Sequence, residues 1–477
     1  MLPGVKSEVS GFEASYNAAY TWAISAVAAM GGLLFGYDWV VIGGAKPFYE
    51  KFFHLTAAWQ QGWAMSCALA GCLVGALISG WLSDRFGRKR LLIAAAFLFG
   101  VSSLATALAG TFSHFVMGRI SGGIAIGLAS SLSPMYIAEI SPPQVRGKLV
   151  SLNQFTIVSG ILLAQFVNWA IARPVPAGST AVEILNSWNG QLGWRWMFGV
   201  IAIPAALFFV CMFAVPESPR WLAGKQREHD ARRILAKIGG GAYSAQALAE
   251  IEASLPAQGT GGNPRGKHAL AVLFEPGTSK ILLLAVVLAV FQQWCGINVI
   301  FNYAEEVFSA AGYNVSGILF DIVVTGAVNL VFTVVAIATV DKLGRRLLML
   351  IGSAGLAFTY IVLGIGYHHG SHGVYMLLLV VTAIACYSMS LAPVTWVVIA
   401  EIFPNRIRGT GMSLAVSSLW IASFILTYTF PLLNHRLGPA VTFWIYSGIC
   451  VLGFVFIHFR LPETKGKSLE EIEQALT

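Results

Sequence analysis

The sequence predicts an all-α membrane protein of twelve transmembrane helices, arranged as two related six-helix bundles with short helices between them. Three observations predict it. Of the 477 residues, 56% are hydrophobic and only 11% are charged, where a soluble chain has roughly a quarter charged. The apolar residues gather in runs of about 20, the length that crosses a hydrocarbon core. Two charged motifs of the first half recur in the second, in the same order and at corresponding places.

The apolar runs fall at 20–44, 60–82, 91–110, 114–138, 149–171 and 195–215, then at 280–308, 315–340, 347–367, 374–400, 411–434 and 439–461. They define an N-terminal bundle over 20–215 and a C-terminal bundle over 280–461, with tails at 1–19 and 462–477. The segment 216–279 mixes acids and bases, holds a helix-favouring piece at 226–238 and the string GTGGNPRG at 259–266. It reads as a cytoplasmic linker carrying short surface helices. Residues 1–19 are polar, with Glu8 and Glu13, and lack the basic and apolar regions of a cleaved signal. Cys67, Cys72, Cys211, Cys295, Cys386 and Cys450 all lie inside apolar runs, where they read as small buried residues rather than as a disulfide or metal framework.

The formal net charge is +8, but the cations sit in short loops, so they report orientation and not a nucleic-acid surface. Arg85, Arg88, Lys89 and Arg90 follow span 2, and Arg146 and Lys148 follow span 4. Lys342, Arg345 and Arg346 follow span 8, and Arg406 and Arg408 follow span 10. The alternate loops are poor in cations. By the positive-inside rule the basic loops and both termini face the cytoplasm, as in a multi-pass membrane protein.

The internal repeat supports the two-bundle reading. Asp84-Arg-Phe-Gly-Arg88 is matched by Asp341-Lys-Leu-Gly-Arg345, and Glu139-x6-Arg146-Gly147 by Glu401-x6-Arg408-Gly409. Parallel six-helix repeats are a transporter architecture with the substrate site between the halves. These acids and bases are expected to pair across the interface and clamp the inner side shut. The alternative is that they are helix caps and orientation charges, worth little as exposed pairs.

Polar residues inside the spans point to a site. Asp38 in span 1 and Arg119 in span 4 are the deepest ionisable groups, and a charge at such depth faces a partner or a wet cavity. A carboxylate that gains and loses an arginine neighbour can load and release a proton; the alternative is a static buried salt bridge. In span 5, Gln154, Gln165 and Asn168 share one face, the first two about 16 Å apart along the axis. Span 7 carries Gln292, Gln293, Asn298 and Asn302 around Gly296, and span 8 adds Asn329. A single amide would be interhelical glue, but a set that donates and accepts suits a neutral polyhydroxylated solute. Trp396 follows Pro393, where span 10 is expected to break, and Trp420 lies in span 11. An indole can pack on the C–H face of a sugar ring or belong to an interfacial belt.

These residues sit in recognisable strings: GGLLFGYD (31–38), SDRFGRK (83–89), GRISGGIAIGLASSLSPMYIAEISPPQVRG (118–147), PESPRWL (216–222), QQWCGINVIFNY (292–303), DKLGRR (341–346) and PETKGKSLEEIE (462–473). From span 1 to the C-terminal tail the chain resembles the sugar porter family of the major facilitator superfamily, and is similar to its bacterial proton–xylose symporters. The resemblance implies the major facilitator fold. It also implies sugar contacts at Gln154, Gln292, Gln293, Asn298, Asn329, Trp396 and Trp420, with Phe35 lining the same cavity, and a proton-coupling pair at Asp38 and Arg119. A cytoplasmic charge network is implied at Asp84, Arg88, Glu139, Arg146, Glu217, Arg220, Asp341, Arg345, Glu401 and Arg408. Three departures stand out. Asn302 replaces the first Tyr of a Tyr-Tyr pair, Leu419 replaces an amide, and Ile201 stands where the xylose symporters have an embedded Glu.

The resulting expectation is a proton-coupled importer of a pentose or hexose, working as a monomer by alternating access. Its partners would be the monosaccharide, the proton as coupling ion and the lipid bilayer, with no nucleic acid, metal or other cofactor. A facilitative uniporter is the nearest alternative, then a non-transporting sugar sensor. A membrane enzyme has no nucleophile–base pair or phosphate loop to support it. The sugar itself stays open, because the candidates differ by single hydroxyls or one hydroxymethyl group.

Overall fold

The computed structural model describes residues 16–176, 178–254, 275–309, 315–403, 408–463 and 465. Eleven helical stretches are long and apolar enough to cross a bilayer, from Ala18–Phe52 to Thr410–Arg460. The last is two spans in one: Gly438 interrupts it at φ 77°, ψ 168°, and Pro439 then starts a new helix without needing an amide partner. That makes twelve, as the sequence predicts. Large apolar side chains such as Phe97, Ile203, Phe358 and Leu452 are exposed on the outer surface, as a lipid-facing surface requires.

Three spans are discontinuous. Span 6 begins with a π-helical turn, Asn189–Gly193, before Trp194–Gly199 and Ala202–Ala214. Span 7 runs Pro276–Trp294, breaks at Gly296 (φ 86°) and resumes as Ile297–Asn302. The left-handed backbone there, with the Tyr446 ring 2.7 Å from where a Cβ would stand, admits only glycine without strain. Span 10 runs Val374–Ser388 and resumes as Leu391–Ile402. The break falls at Met389–Ser390, three to four residues before Pro393, because a proline ring collides with the carbonyl four residues back.

Within the first half, spans 1 and 5 approach through glycine on both sides. A Cβ on Gly36 would overlap the Ile157 carbonyl, and one on Gly160 the Leu33 carbonyl. Small residues that let backbones touch are how helices pack when lipid removes the hydrophobic drive. Between spans 6 and 7, Pro219–Gly224 and Glu228–Ser254 are helical, the second broken at Gly239 and Gly240. They share a small core of Leu222, Ala223, Ala231, Leu235 and Leu248. The string at 259–266 lies outside the described residues.

Asn17, just before span 1, and these linker helices lie on one face, termed the terminal face: Asn17 N donates to Ile238 O at 2.7 Å. The halves meet nearer the opposite, far face. There Gly62 of span 2 abuts the Tyr428 carbonyl of span 11, and Gly326 of span 8 abuts Gln165 of span 5. Trp63–Phe424 and Trp169–Phe320 ring contacts, at 6.1 and 6.2 Å, join the same pairs of spans.

Candidate functional site

The breaks in spans 7 and 10 face each other, and the amides sit between them. Gln292 Nε2 donates to the carbonyls of Leu391 and Ala392, at 3.4 and 3.2 Å, where span 10 resumes. Gln293 Nε2 donates to Gln292 Oε1 at 3.1 Å, and Asn298 Nδ2 donates to Gln293 Oε1 across the Gly296 turn. On span 8, Asn329 Oδ1 accepts from Ser388 Oγ at 2.6 Å, beside the span 10 break. These four amides are buried. One hydrogen-bonded line therefore holds three amide heads of span 7 beside the span 10 break.

An aromatic wall joins the halves next to it. Phe35 and Trp39, one turn apart on span 1, pack on Trp420 of span 11 with centroids 6.0 and 5.9 Å away. Trp396 and Gln154 are half-buried and make no side-chain hydrogen bond among the described residues. The shared face of span 5 serves more than one purpose. Asn168 Nδ2 donates to the Val41 carbonyl at 3.0 Å, which is interhelical glue, while both amide atoms of Gln165 are buried without a partner against Gly326. Trp39, which the sequence reading passed over, shares a small cavity with Arg119 and Asn302.

Asp38 and Arg119 meet as expected. Arg119 Nη1 donates to Asp38 Oδ1 at 2.6 Å and Nη2 to the Asp38 carbonyl at 3.3 Å. The guanidinium stacks on Phe198, 5.3 Å from its centroid. Among the described residues, Asp38 Oδ2 is buried with no partner. Ile201 is buried in the same span as Phe198, so this neighbourhood has an alkyl group and no second carboxylate at that position.

These are not the only deep charges. Lys46, also on span 1, is 3% exposed. Its Nζ lies 3.2 Å from Glu50 and 3.4 Å from Glu305, and contacts Glu306 as well. Asp38 and Arg119 remain the more enclosed pair, the three carboxylates around Lys46 being partly exposed. Lys46 and Glu50 fall just past the first apolar run, and the cross-half partners of Lys46, Glu305 and Glu306, are more than 250 residues away.

On the terminal face, Arg88 Nη2 lies 3.0 Å from Glu139 and Nη1 3.5 Å from Asp84. Glu217 accepts from the backbone amides of Arg88 and Lys89 at 2.9 and 3.0 Å, and Ser218 Oγ donates to Glu139. The second half repeats this: Arg345 Nη2 lies 3.1 Å from Glu401. Glu463 accepts from the amides of Arg345 and Arg346 at 2.9 and 3.1 Å. Pairing across the interface was expected, and these pairs instead stay inside each half, because in this conformation the halves close at the far face. Arg146 donates to the Ser141 carbonyl at 3.4 Å. Arg220 is exposed, with no acidic partner among the described residues. The side chains of Asp341 and Arg408 lie outside the described residues. Glu463 was missed, although Pro216-Glu217 and Pro462-Glu463 end the two halves alike.

The family model described as sugar (and other) transporter matches residues 24–476. The chain belongs to that family. This sugar transporter is 40% identical to the D-xylose-proton symporter of Escherichia coli strain K12, over 96% of each chain. It is 38% identical to the arabinose-proton symporter of Bacillus subtilis strain 168, again over 96% of each. Among solved structures it matches the partially occluded inward-open conformation of the xylose transporter XylE from E. coli with a TM-score of 0.81 and 38% identity, covering 94% of this transporter and all of that chain. The fold is that of the major facilitator superfamily, and the protein is a multi-pass membrane transporter.

Proposed function

We propose that this transporter imports a monosaccharide, a xylose-like pentose or a hexose, together with a proton. One observation carries the reading: a buried Asp38–Arg119 pair with a free carboxylate oxygen stands one residue from Trp39 in the aromatic wall of the amide site. The amide line would take the sugar hydroxyls, Phe35 and Trp420 its apolar face, and Gln154 and Trp396 would close on it from their half-buried positions. Relatives named as xylose-, arabinose- and galactose-proton symporters support the coupling ion and the substrate class.

The terminal face carries the basic loops and is read as cytoplasmic, with both termini inside and the chain in the inner membrane. Closure at the far face then makes this an inward-facing conformation. The terminal-face charge network brackets each half and would tie the halves together when that side closes. Each chain holds both halves of a site, so the working unit is a monomer, and no cofactor beyond the proton enters.

The test is radiolabelled sugar uptake into proteoliposomes with and without an inward proton gradient, comparing wild type with Asp38→Asn. Symport predicts accumulation above equilibrium that the variant loses while counterflow exchange survives. Equilibrating uptake indifferent to gradient and variant would make the protein a uniporter and Asp38 a structural partner of Arg119.

A further inference from the structure

Buried Lys46 and the half-buried carboxylates around it lie beyond the sugar site and take no part in the proposed sugar and proton binding. Lys46 and Glu50 belong to span 1, in the first half; Glu305 and Glu306 follow the short span 7 helix, in the second. A single ammonium therefore lies between carboxylates of opposing halves. It also sits 5.9 Å from the ring centroid of Tyr303, whose hydroxyl donates to the Thr427 carbonyl of span 11 at 2.6 Å. Two turns earlier on span 1, Asp38 holds Arg119. Between them, a Cβ on Gly43 would stand 2.8 Å from the Phe301 carbonyl. Span 1 thus lies directly against Ile297–Asn302, the helix that carries Asn298.

We propose that Lys46 is the positioning residue that locks the far-face gate, holding the short span 7 helix over the sugar site through Glu305 and Glu306. Charge arithmetic gives the direction. One cation faces three carboxylates, so removing it leaves Glu50 of one half opposed to Glu305 and Glu306 of the other. Uncompensated charge is costly only while it stays buried. Opening the far face hydrates all three carboxylates, so loss of Lys46 favours the outward-open state. Among the described residues, Oδ1 of Asn302 is buried without a partner at this seam.

The inference rests on alternating access, but distances between labels report the gate without sugar or proton flux, so its failure is separable from a failure of symport. Spin labels at Thr56 and His435, exposed on the far face in opposite halves, would be measured in lipid nanodiscs. Lys46→Met should raise the ratio of far-face-open to closed molecules about tenfold, which corresponds to about 1.4 kcal/mol. The exchange Lys46→Glu with Glu306→Lys keeps the inventory of charges and should return the ratio toward wild type. Glu305→Gln with Glu306→Gln removes only the cross-half attraction and should open the gate less than Lys46→Met; it serves as the reading if Lys46→Met fails to fold. An unchanged distance distribution in Lys46→Met, or in the double Gln variant if that one must stand in, overturns the proposal. So does an exchange variant as open as Lys46→Met.

Discussion

Glu217 and Glu463 hold equivalent positions in the two halves: each lays its carboxylate over the first backbone amides of a neighbouring helix, Arg88 and Lys89 in one case and Arg345 and Arg346 in the other. Helix N-termini leave amides unpaired and carry partial positive charge, so a carboxylate there is doubly favoured. The glycine before each helix has the same backbone, φ 92° at Gly87 and φ 89° at Gly344. A Cβ at Gly344 would stand 2.7 Å from Glu463 Oε2, and one at Gly87 would overlap Glu217.

Loss of either carboxylate should therefore act like loss of a helix cap, costing about 0.5–2 kcal/mol. Glu463→Ala is expected to lower the thermal midpoint of the detergent-solubilised protein, with Glu463→Gln falling between the variant and wild type. Gly344→Ala should lower it too, since it adds left-handed strain to a steric clash. Fluorescence-detected size exclusion after heating measures both. A Glu463→Ala midpoint equal to wild type would mean the carboxylate is not a cap.

The buried pair of spans 1 and 4 should respond unequally to its two partners. Arg119→Met leaves Asp38 buried and uncompensated, a loss of about 3–5 kcal/mol. Asp38→Asn keeps an acceptor for Arg119 and should cost less. Chemical or thermal unfolding of the two variants side by side checks the order, and a reversed order would place the Asp38 carboxylate in contact with water.

Asn329 is a sugar contact in the proposed reading and a partner of Ser388 in the structure. Asn329→Ala should raise the apparent KM for the transported sugar about tenfold, in the range of one lost hydrogen bond in a dry site. Initial uptake rates in proteoliposomes separate KM from maximal rate. A fall in maximal rate alone would assign Asn329 to helix packing at the span 10 break.

Trp420 closes the aromatic wall from the second half, packed on Phe35 and Trp39. Trp420→Ala should cost both sugar affinity and stability, up to about 3–5 kcal/mol for the latter. Trp420→Phe keeps a ring and should restore most of each. Equilibrium binding by calorimetry gives the affinity. A Phe variant no better than Ala would point to the indole N–H, which is buried without a partner, as the group that matters.

Much of this protein was readable because membrane helices obey local rules. Apolar run length marks the spans, loop cations mark the faces, and Pro393 marks the broken span 10. Glu463 was equally local, as a repeat of Pro216-Glu217, and could have been found by aligning the ends of the two halves. Lys46 could not. Its nearest cross-half partner is 259 residues away, and next to Pro47 at the end of an apolar run it has the pattern of an ordinary interfacial lysine.

The number of spans, the repeated motifs of the two halves, and the candidate amides and charges could be read along the chain, since each follows from spacing along one helix or from a repeated string. Tertiary structure decided which charges pair. It kept Arg88 with Glu139 and Arg345 with Glu401 inside their own halves, brought Lys46 to Glu305 and Glu306, and set Trp39 on Trp420. Those outcomes depend on how two rigid bundles are tilted against each other, a relation that no window along the chain encodes.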